Sequence, residues 1–239
     1  MSWISNKPIP VNERLIVALD VPDIPSAKKL VELLGDSVVF YKIGLELFMS
    51  GDYFELIDWL NEKNKRIFVD LKFFDVPATV GRAVKQLSDK KVDFVTIHGN
   101  NAIMQAAAEQ KGSLKVLAVT VLTSLDRGDL DDLGFQCDVE KLVLSRAKRA
   151  IELGCDGVIS SGLEAPKLRD SLGQNFLVVS PGIRPVDNRP DDDQKRIVTV
   201  EQAFNNGADH IVVGRPIRDA QNPKEAALDI QATIKRVFE

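Results

Sequence analysis

Cysteine is scarce in this 239-residue chain: Cys137 and Cys155 stand far apart, with no CxxC pair and no paired histidines. That pattern argues against a zinc centre and against a disulfide framework. Two plain thiols suit a reducing, cytoplasmic setting. No stretch approaches the ~18 consecutive apolar residues of a membrane span, so no membrane partner is expected. The opening MSWISNKPIPVNER has no apolar core of a signal peptide, so no secretory leader is expected. Positive charge is not in excess either: 31 Lys and Arg face 35 Asp and Glu, a net charge of −4. The basic residues are scattered, whereas a nucleic-acid footprint needs a basic stripe, so no nucleic-acid partner is expected. No GxGxxG follows the first apolar run, which weakens a dinucleotide-binding sheet.

What the chain does have is rhythm. Hydrophobic residues make up 44% and charged residues 28%, enough for a large core. Short apolar runs read as strands: LIVALD (15–20), VVFYKIG (38–44), RIFVDLK (66–72), DFVTIH (93–98), KVLAVTV (115–121), DGVIS (156–160), FLVVSP (176–181) and DHIVVG (209–214). Near-continuous apolar runs are what parallel strands covered by helices require. Helical patterns lie between them. IPSAKKLVELLG ends on Gly35, PATVGRAVKQLSDK opens on Pro77, and VEKLVLSRAKRAIELG and PKEAALDIQATIKRVF follow the same logic. FELIDWLNEKN is expected to gather Phe54, Ile57, Trp59 and Leu60 on one side. Strand starts recur about every 28 residues, as in successive strand–helix units with short loops. Eight such units, without a linker, predict one (β/α)8 barrel (the TIM-barrel architecture of the α/β class) as a single domain over residues 1–239. An open doubly wound sheet is the main rival.

Barrel chemistry sits at the C-terminal strand ends. Those ends carry Asp20, Lys42, Asp70, Lys72, His98, Thr123, Ser160, Ser161, Arg184, Gly214 and Arg215. Asp70 and Lys72 are two apart on a strand, so alternation puts both on one face, toward the barrel mouth if Val69 and Leu71 face the helices. Lys42, on the neighbouring strand, reaches the same point, and Asp75 lies just past the strand end. An alternating Lys, Asp, Lys, Asp array neutralises itself, which makes burial tolerable; a structural salt-bridge network at the rim is the competing reading. PGIRP after strand 7 and VVGRPI at strand 8 place glycines and arginines where barrel enzymes often bind phosphate. Asp126, Asp129, Asp131 and Asp132 miss the EF-hand pattern and read as helix caps and a solvated turn. The Pro- and Asp-rich connection after strand 7 is long enough to be functional.

These blocks resemble the orotidine 5′-monophosphate decarboxylases of the bacterial, single-function type. LIVALDVPD, YKIGLELF, FVDLKFFDVPATV, LAVTVLTS, VSPGIRP and IVVGRPI match family blocks in family order, over nearly the whole chain. The D-x-K-x-x-D signature, followed by a hydrophobic residue and proline, is specific in this setting. The resemblance implies decarboxylation of orotidine 5′-monophosphate to UMP and CO2, the last step of de novo pyrimidine synthesis, with no metal or organic cofactor. It implies that Asp20 and Lys42 hold the ribose hydroxyls, that Asp70 faces the substrate carboxylate, and that Lys72 donates the proton replacing CO2. Asp75 and Thr79 would come from the neighbouring subunit of a homodimer with shared sites. Thr123 would touch the pyrimidine edge. Gln194, Gly214, Arg215 and Arg184 would surround the phosphate, with 182–196 acting as a lid. Phe74 and Ala78 stand where many relatives carry His and Asn, and HGNN replaces a more usual turn after strand 4.

Two rivals stay open at this point. Mg²⁺-dependent sugar-phosphate enzymes of the same superfamily share the signature but carry an acidic residue where this chain has Lys42, and a lysine there repels a cation. A non-catalytic nucleotide-phosphate sensor would need the arginines but not the charged array, and fold alone does not exclude it.

Overall fold

The computed structural model describes residues 3–184 and 197–239. Its strands are β1 (Leu15–Ala18), β2 (Phe40–Gly44), β3 (Arg66–Phe73), β4 (Phe94–Ile97), β5 (Lys115–Val119), β6 (Gly157–Ile159), β7 (Leu177–Ser180) and β8 (His210–Val213). They stand in sequence order in a closed barrel. β8 returns to pair with β1 in parallel, Leu15 opposite Ile211 and Val17 opposite Val213. The fold class expected from the eight apolar runs is therefore the one observed. Seven strands are shorter than their apolar runs; residues that follow them, such as Asp20, His98 and Ser160, form the rim, and the His98 and Ser160 amides still bond to the Phe73 and Val179 carbonyls of the neighbouring strands.

Alternation divides the core into two layers. Ile16 and Ala18 point inward with Phe40, Phe68, Phe94, Leu117 and Val179. Leu15, Val17, Ile43, Ile67 and Val69 face the surrounding helices. Each large side chain buried this way contributes roughly 1.5–3 kcal/mol.

The helices show why their sequences fold as they do. In Ile24–Leu34, the Asp23 side chain accepts a hydrogen bond from the Ser26 amide at 2.8 Å, and Ala27, Leu30, Val31 and Leu34 form the buried stripe. Gly35 ends it at φ 52°, in the region glycine enters without penalty. Pro77 opens the helix Pro77–Ser88 and Pro223 opens Pro223–Phe238, as the sequence predicts. One expectation is corrected. In the helix Tyr53–Glu62 the buried residues are Tyr53, Leu56, Ile57 and Leu60, Trp59 is only partly buried, and Phe54 is 48% exposed. The stripe starts at Tyr53, one position earlier, and this turns the Phe54 ring toward solvent. Within the long connection after β5, Asp126 and Asp129 form a reciprocal capping box on a short helix, Arg127–Asp132, which accounts for the acidic run there.

Opposite the rim, Asp209 precedes β8 and is fully buried. It accepts hydrogen bonds from Arg169 Nη2 at 2.8 Å, Lys7 Nζ at 3.0 Å, the Ser5 hydroxyl and the Val178 amide. Burial alone would raise its carboxyl pKa, but Arg169 and Lys7 outweigh that and hold it below the usual carboxylate value. Among the described residues, no helix is long and apolar enough to cross a membrane.

Candidate active site

β1, β2 and β3 lie side by side, with Ala18 opposite Lys42 and Gly44 opposite Asp70. This register brings charged side chains from all three strands to one point at the rim. Lys42 Nζ lies 2.9 Å from Asp20 Oδ1 and 3.5 Å from Asp70 Oδ2. Lys72 Nζ lies 3.0 Å from Asp70 Oδ1. Asp70 is thus held between two ammonium groups, one on each oxygen.

The local backbone of β3 departs from simple alternation. Val69 pairs with Val95, but the next match is Phe73 with Ile97, so β3 holds two more residues than β4 over this span. Lys72 sits in the inserted stretch with φ 48°, a left-handed conformation that a lysine rarely adopts. Strain of this kind persists only where its surroundings impose it, and it clusters at functional sites. The common direction of Asp70 and Lys72 therefore comes from a bulge, not from the two-residue period of a regular strand. Thr96, fully buried on β4, spans the bulge. Its hydroxyl accepts from the Lys72 amide at 3.0 Å and donates to Asp70 Oδ1 at 2.8 Å.

The electrostatics follow from the contacts. Burial alone would lower the Lys42 pKa, but Asp70 and Asp20 outweigh it and hold the ammonium above the usual lysine value. Burial alone would raise that of Asp70, but Lys42, Lys72 and the Thr96 hydroxyl outweigh it and hold the carboxylate below its usual value. Lys42 and Asp70 therefore both carry their charges throughout the neutral range.

A cavity of about 600 Å³ opens over these groups. Asp20, Lys42, Asp70, Lys72, Thr123, Arg184, Gly214 and Arg215 all line it, with the apolar floor supplied by Phe68, Ile159 and Val212. Gly182 turns the chain at φ 74° at the cavity edge. Arg218 lines it too, and its guanidinium donates to the Asp20 carbonyl. The sequence offers a signal for Arg218, one helical turn after Gly214, that reading strand ends alone misses. Thr96 is missed for a different reason: within VTI it reads as β-branched strand filler, although it shares the inward face of Phe94.

Other expected residues lie elsewhere. Asp75 is exposed, its carboxylate accepting from the Val76 amide at 2.6 Å, and does not line the cavity of its own chain. Thr79, on the helix that follows, is likewise outside that cavity and accepts from Arg82. His98 packs edge-on against Phe74 with ring centres 5.7 Å apart; burial, with Arg146 and Lys72 nearby, lowers its pKa. Ser160 donates to Glu164 at 2.7 Å, and the same carboxylate accepts from the Ser161 amide at 3.0 Å, so both serines shape the turn after β6. Gln194 and residues 185–196 of the expected lid lie outside the described residues. The flanks of that segment meet where the Arg184 amide donates to the Val198 carbonyl at 3.0 Å.

Comparison with known proteins places this geometry. The sequence profile of the orotidine 5′-phosphate decarboxylase / HUMPS family matches residues 13–230. The orotidine 5′-phosphate decarboxylase of Methylococcus capsulatus is 70% identical over 237 residues, covering 99% of this chain and 98% of the relative. That of Stenotrophomonas maltophilia is 52% identical, covering 97% of each. The crystal structure of orotidine 5′-phosphate decarboxylase from Lactobacillus acidophilus superimposes with a TM-score of 0.82 at 35% identity, covering 93% of this chain and 99% of the other.

Proposed function

The chain belongs to the orotidine 5′-phosphate decarboxylase / HUMPS family, and from that membership we propose that it decarboxylates orotidine 5′-monophosphate to UMP and CO2. The reaction would close de novo pyrimidine synthesis and would need neither metal nor organic cofactor. The observation that carries this reading is the Lys42–Asp70–Lys72 array at the mouth of the barrel, buried at Lys42 and partly open to the cavity at Lys72.

The bond from the pyrimidine ring to its carboxylate breaks heterolytically. CO2 leaves, the electron pair stays on the ring carbon, and that carbon takes a proton from the Lys72 ammonium. The resulting amine is reprotonated from solvent. Little delocalises the developing carbanion, so a fixed cation aimed at the reacting carbon must lower its energy. A unit-charge pair at 4 Å is worth about 4 kcal/mol at an effective dielectric of 20, whereas enzymes remove roughly 8–23 kcal/mol from their barriers. Lys72 alone is therefore insufficient, and binding energy from the phosphate and ribose must position the base. Asp20 and Lys42 would hold the ribose hydroxyls, Thr123 the pyrimidine edge, and Gly214, Arg215, Arg184 and Gln194 the phosphate, with 182–196 closing over it. Asp70 would face the leaving carboxylate.

Lys42 also bears on the metal-dependent branch of the superfamily. Its ammonium sits between Asp20 and Asp70, the two carboxylates a divalent cation would otherwise take.

A homodimer with shared sites completes the proposal, Asp75 and Thr79 reaching the partner's cavity. Support comes from the exposed side chains of Leu45, Phe48, Met49 and Phe54, which follow β2, and of Phe74 and Val76, which follow β3 on either side of Asp75. Exposed apolar surface of this kind marks interaction sites. The single-domain organisation over 1–239 and a cytoplasmic location, the latter in keeping with two free thiols, belong to the same reading.

The test is loss of orotate-ring absorbance when the purified protein meets orotidine 5′-monophosphate in the presence of EDTA. Decay to UMP is expected. A well-folded protein that converts nothing, yet turns over a sugar phosphate when Mg²⁺ is added, would overturn the reading.

A further inference from the structure

The reading above assigns Lys72 its chemistry but leaves open what holds it in a conformation that lysine avoids. Lys72 has φ 48° and sits where β3 carries two residues more than β4. An inserted stretch loses its ladder partners, and an amide left without one must find another. The Lys72 amide finds the Thr96 hydroxyl at 3.0 Å. The same hydroxyl donates to Asp70 Oδ1 at 2.8 Å, the oxygen that also accepts from Lys72 Nζ at 3.0 Å.

A closed ring results: Thr96 hydroxyl to Asp70 carboxylate, carboxylate to Lys72 ammonium, Lys72 backbone back to Thr96. Only a group that donates and accepts at one atom can sit at that corner, which among β-branched residues means threonine. Thr96 is fully buried, and it does not line the cavity. It therefore acts on substrate only through Asp70 and Lys72.

Resting on the decarboxylase reading, we infer that Thr96 is a positioning residue for the proton transfer: its hydroxyl locks the β3 bulge and aims Lys72 at the reacting carbon. The base and phosphate contacts come from other strands, and of the ribose contacts only Lys42 touches the ring, at the Asp70 oxygen that Thr96 does not hold. Its loss should therefore fall on kcat and spare KM. Misplacing a reacting group by about 1 Å can cost 10²-fold in rate.

Thr96→Val keeps the shape and removes both hydrogen bonds. Thr96→Ser keeps the hydroxyl and removes the methyl group. The experiment compares kcat and KM for orotidine 5′-monophosphate across the unchanged chain and both variants, with melting temperature recorded for each. The expected result is a fall in kcat of about 10- to 100-fold for Thr96→Val, KM within about threefold of the unchanged chain, and recovery to within about threefold in Thr96→Ser. Should Thr96→Val fail to fold, Thr96→Cys replaces it, since a thiol is a weak donor and acceptor, and the same drop in kcat is expected. Unchanged kcat in a folded Val or Cys variant overturns the inference. So does a serine variant as impaired as valine, which would make the methyl group the active part. If the unchanged chain itself fails to convert the nucleotide, the decarboxylase reading falls and the inference falls with it; if it converts and the variants match it, the inference alone falls.

Discussion

Lys42 Nζ and Asp20 Oδ1 stand 2.9 Å apart across neighbouring strands, and the lysine is the more buried partner, its side chain 11% exposed against 45% for the aspartate. An ammonium so withdrawn from water is stable only because Asp70 flanks it from the other side. The site is therefore a chain of charges, Asp20–Lys42–Asp70–Lys72, in which the two inner groups are each held from both sides and the two outer ones from one, and its members respond differently to removal.

Lys72→Ala removes the proton donor but leaves Asp70 paired with Lys42, so the fold should persist. General acid chemistry of this type contributes about 10²–10⁴-fold, and the lysine also supplies the stabilising charge, so turnover should fall by at least the upper figure. Absorbance assays beside a circular dichroism spectrum check both halves. Turnover near that of the unchanged protein would remove Lys72 from its assigned role.

Arg215 lines the cavity beside Gly214. Hydrogen bonds to charged groups are worth about 1.5–3 kcal/mol, so Arg215→Ala should lower kcat/KM for the phosphorylated substrate by roughly 10- to 100-fold, mostly through KM. Orotidine without its phosphate should be converted equally by both proteins. An equal loss on both substrates would contradict a phosphate role.

Mixing Lys72→Ala with Asp75→Ala chains tests the shared site. In a dimer completed across its interface, the mixed pair contains one doubly altered site and one intact site. A verified mixed dimer should therefore regain about half the turnover of the unchanged dimer. Activity no higher than that of either altered dimer would count against a site built from two chains.

Acid and base should destabilise the protein for separate reasons. The Asp70 and Asp209 carboxylates titrate below their usual value, so their stabilising effect is complete above about pH 4 and is lost on acidification beneath it. Lys42 titrates above the usual lysine value, so its effect is complete below about pH 10 and is lost as pH rises further. Melting temperature against pH should show a plateau between, with shoulders on both sides. Asp209→Asn should flatten part of the acid shoulder. At neutral pH it should cost about 3–5 kcal/mol in urea titrations, because Arg169 is left buried without its counter-charge. A variant as stable as the parent would show that Arg169 is satisfied by the Gly207 and Phe176 carbonyls alone.

The barrel was legible because its signal is repeated: a misread boundary at one strand leaves the count of eight intact. Strand ends were less so. The run around Asp20 continues past the last ladder bond, from the Leu19 amide to the Lys42 carbonyl, and nothing in residue type marks where pairing stops. Phe54 deceived for a related reason: an aromatic side chain next to a helical stripe reads as part of it, while the backbone starts the stripe at Tyr53. The convergence of Lys42, Asp70 and Lys72 could be anticipated from order and alternation. The bulge that produces it could not, since neither Lys72 nor its neighbours is a residue that announces a positive φ. Thr96 was hidden by its dual character, a strand former by its branching and a hydrogen-bonding hub by its hydroxyl.

Closure of β1 onto β8 has a consequence for how the protein comes into being. Leu15 finds its second partner, Ile211, only after the last strand has left the ribosome. Until then the first and seventh strands each present an unpaired edge, the surface from which strands pair wrongly with other chains. Ligands of the cavity come from β1 through to the turn after β8. A nascent chain halted before residue 213 therefore holds most of the residues of the site and none of its enclosure. Capacity to bind nucleotide should rise in one step during synthesis, with the arrival of the final strand.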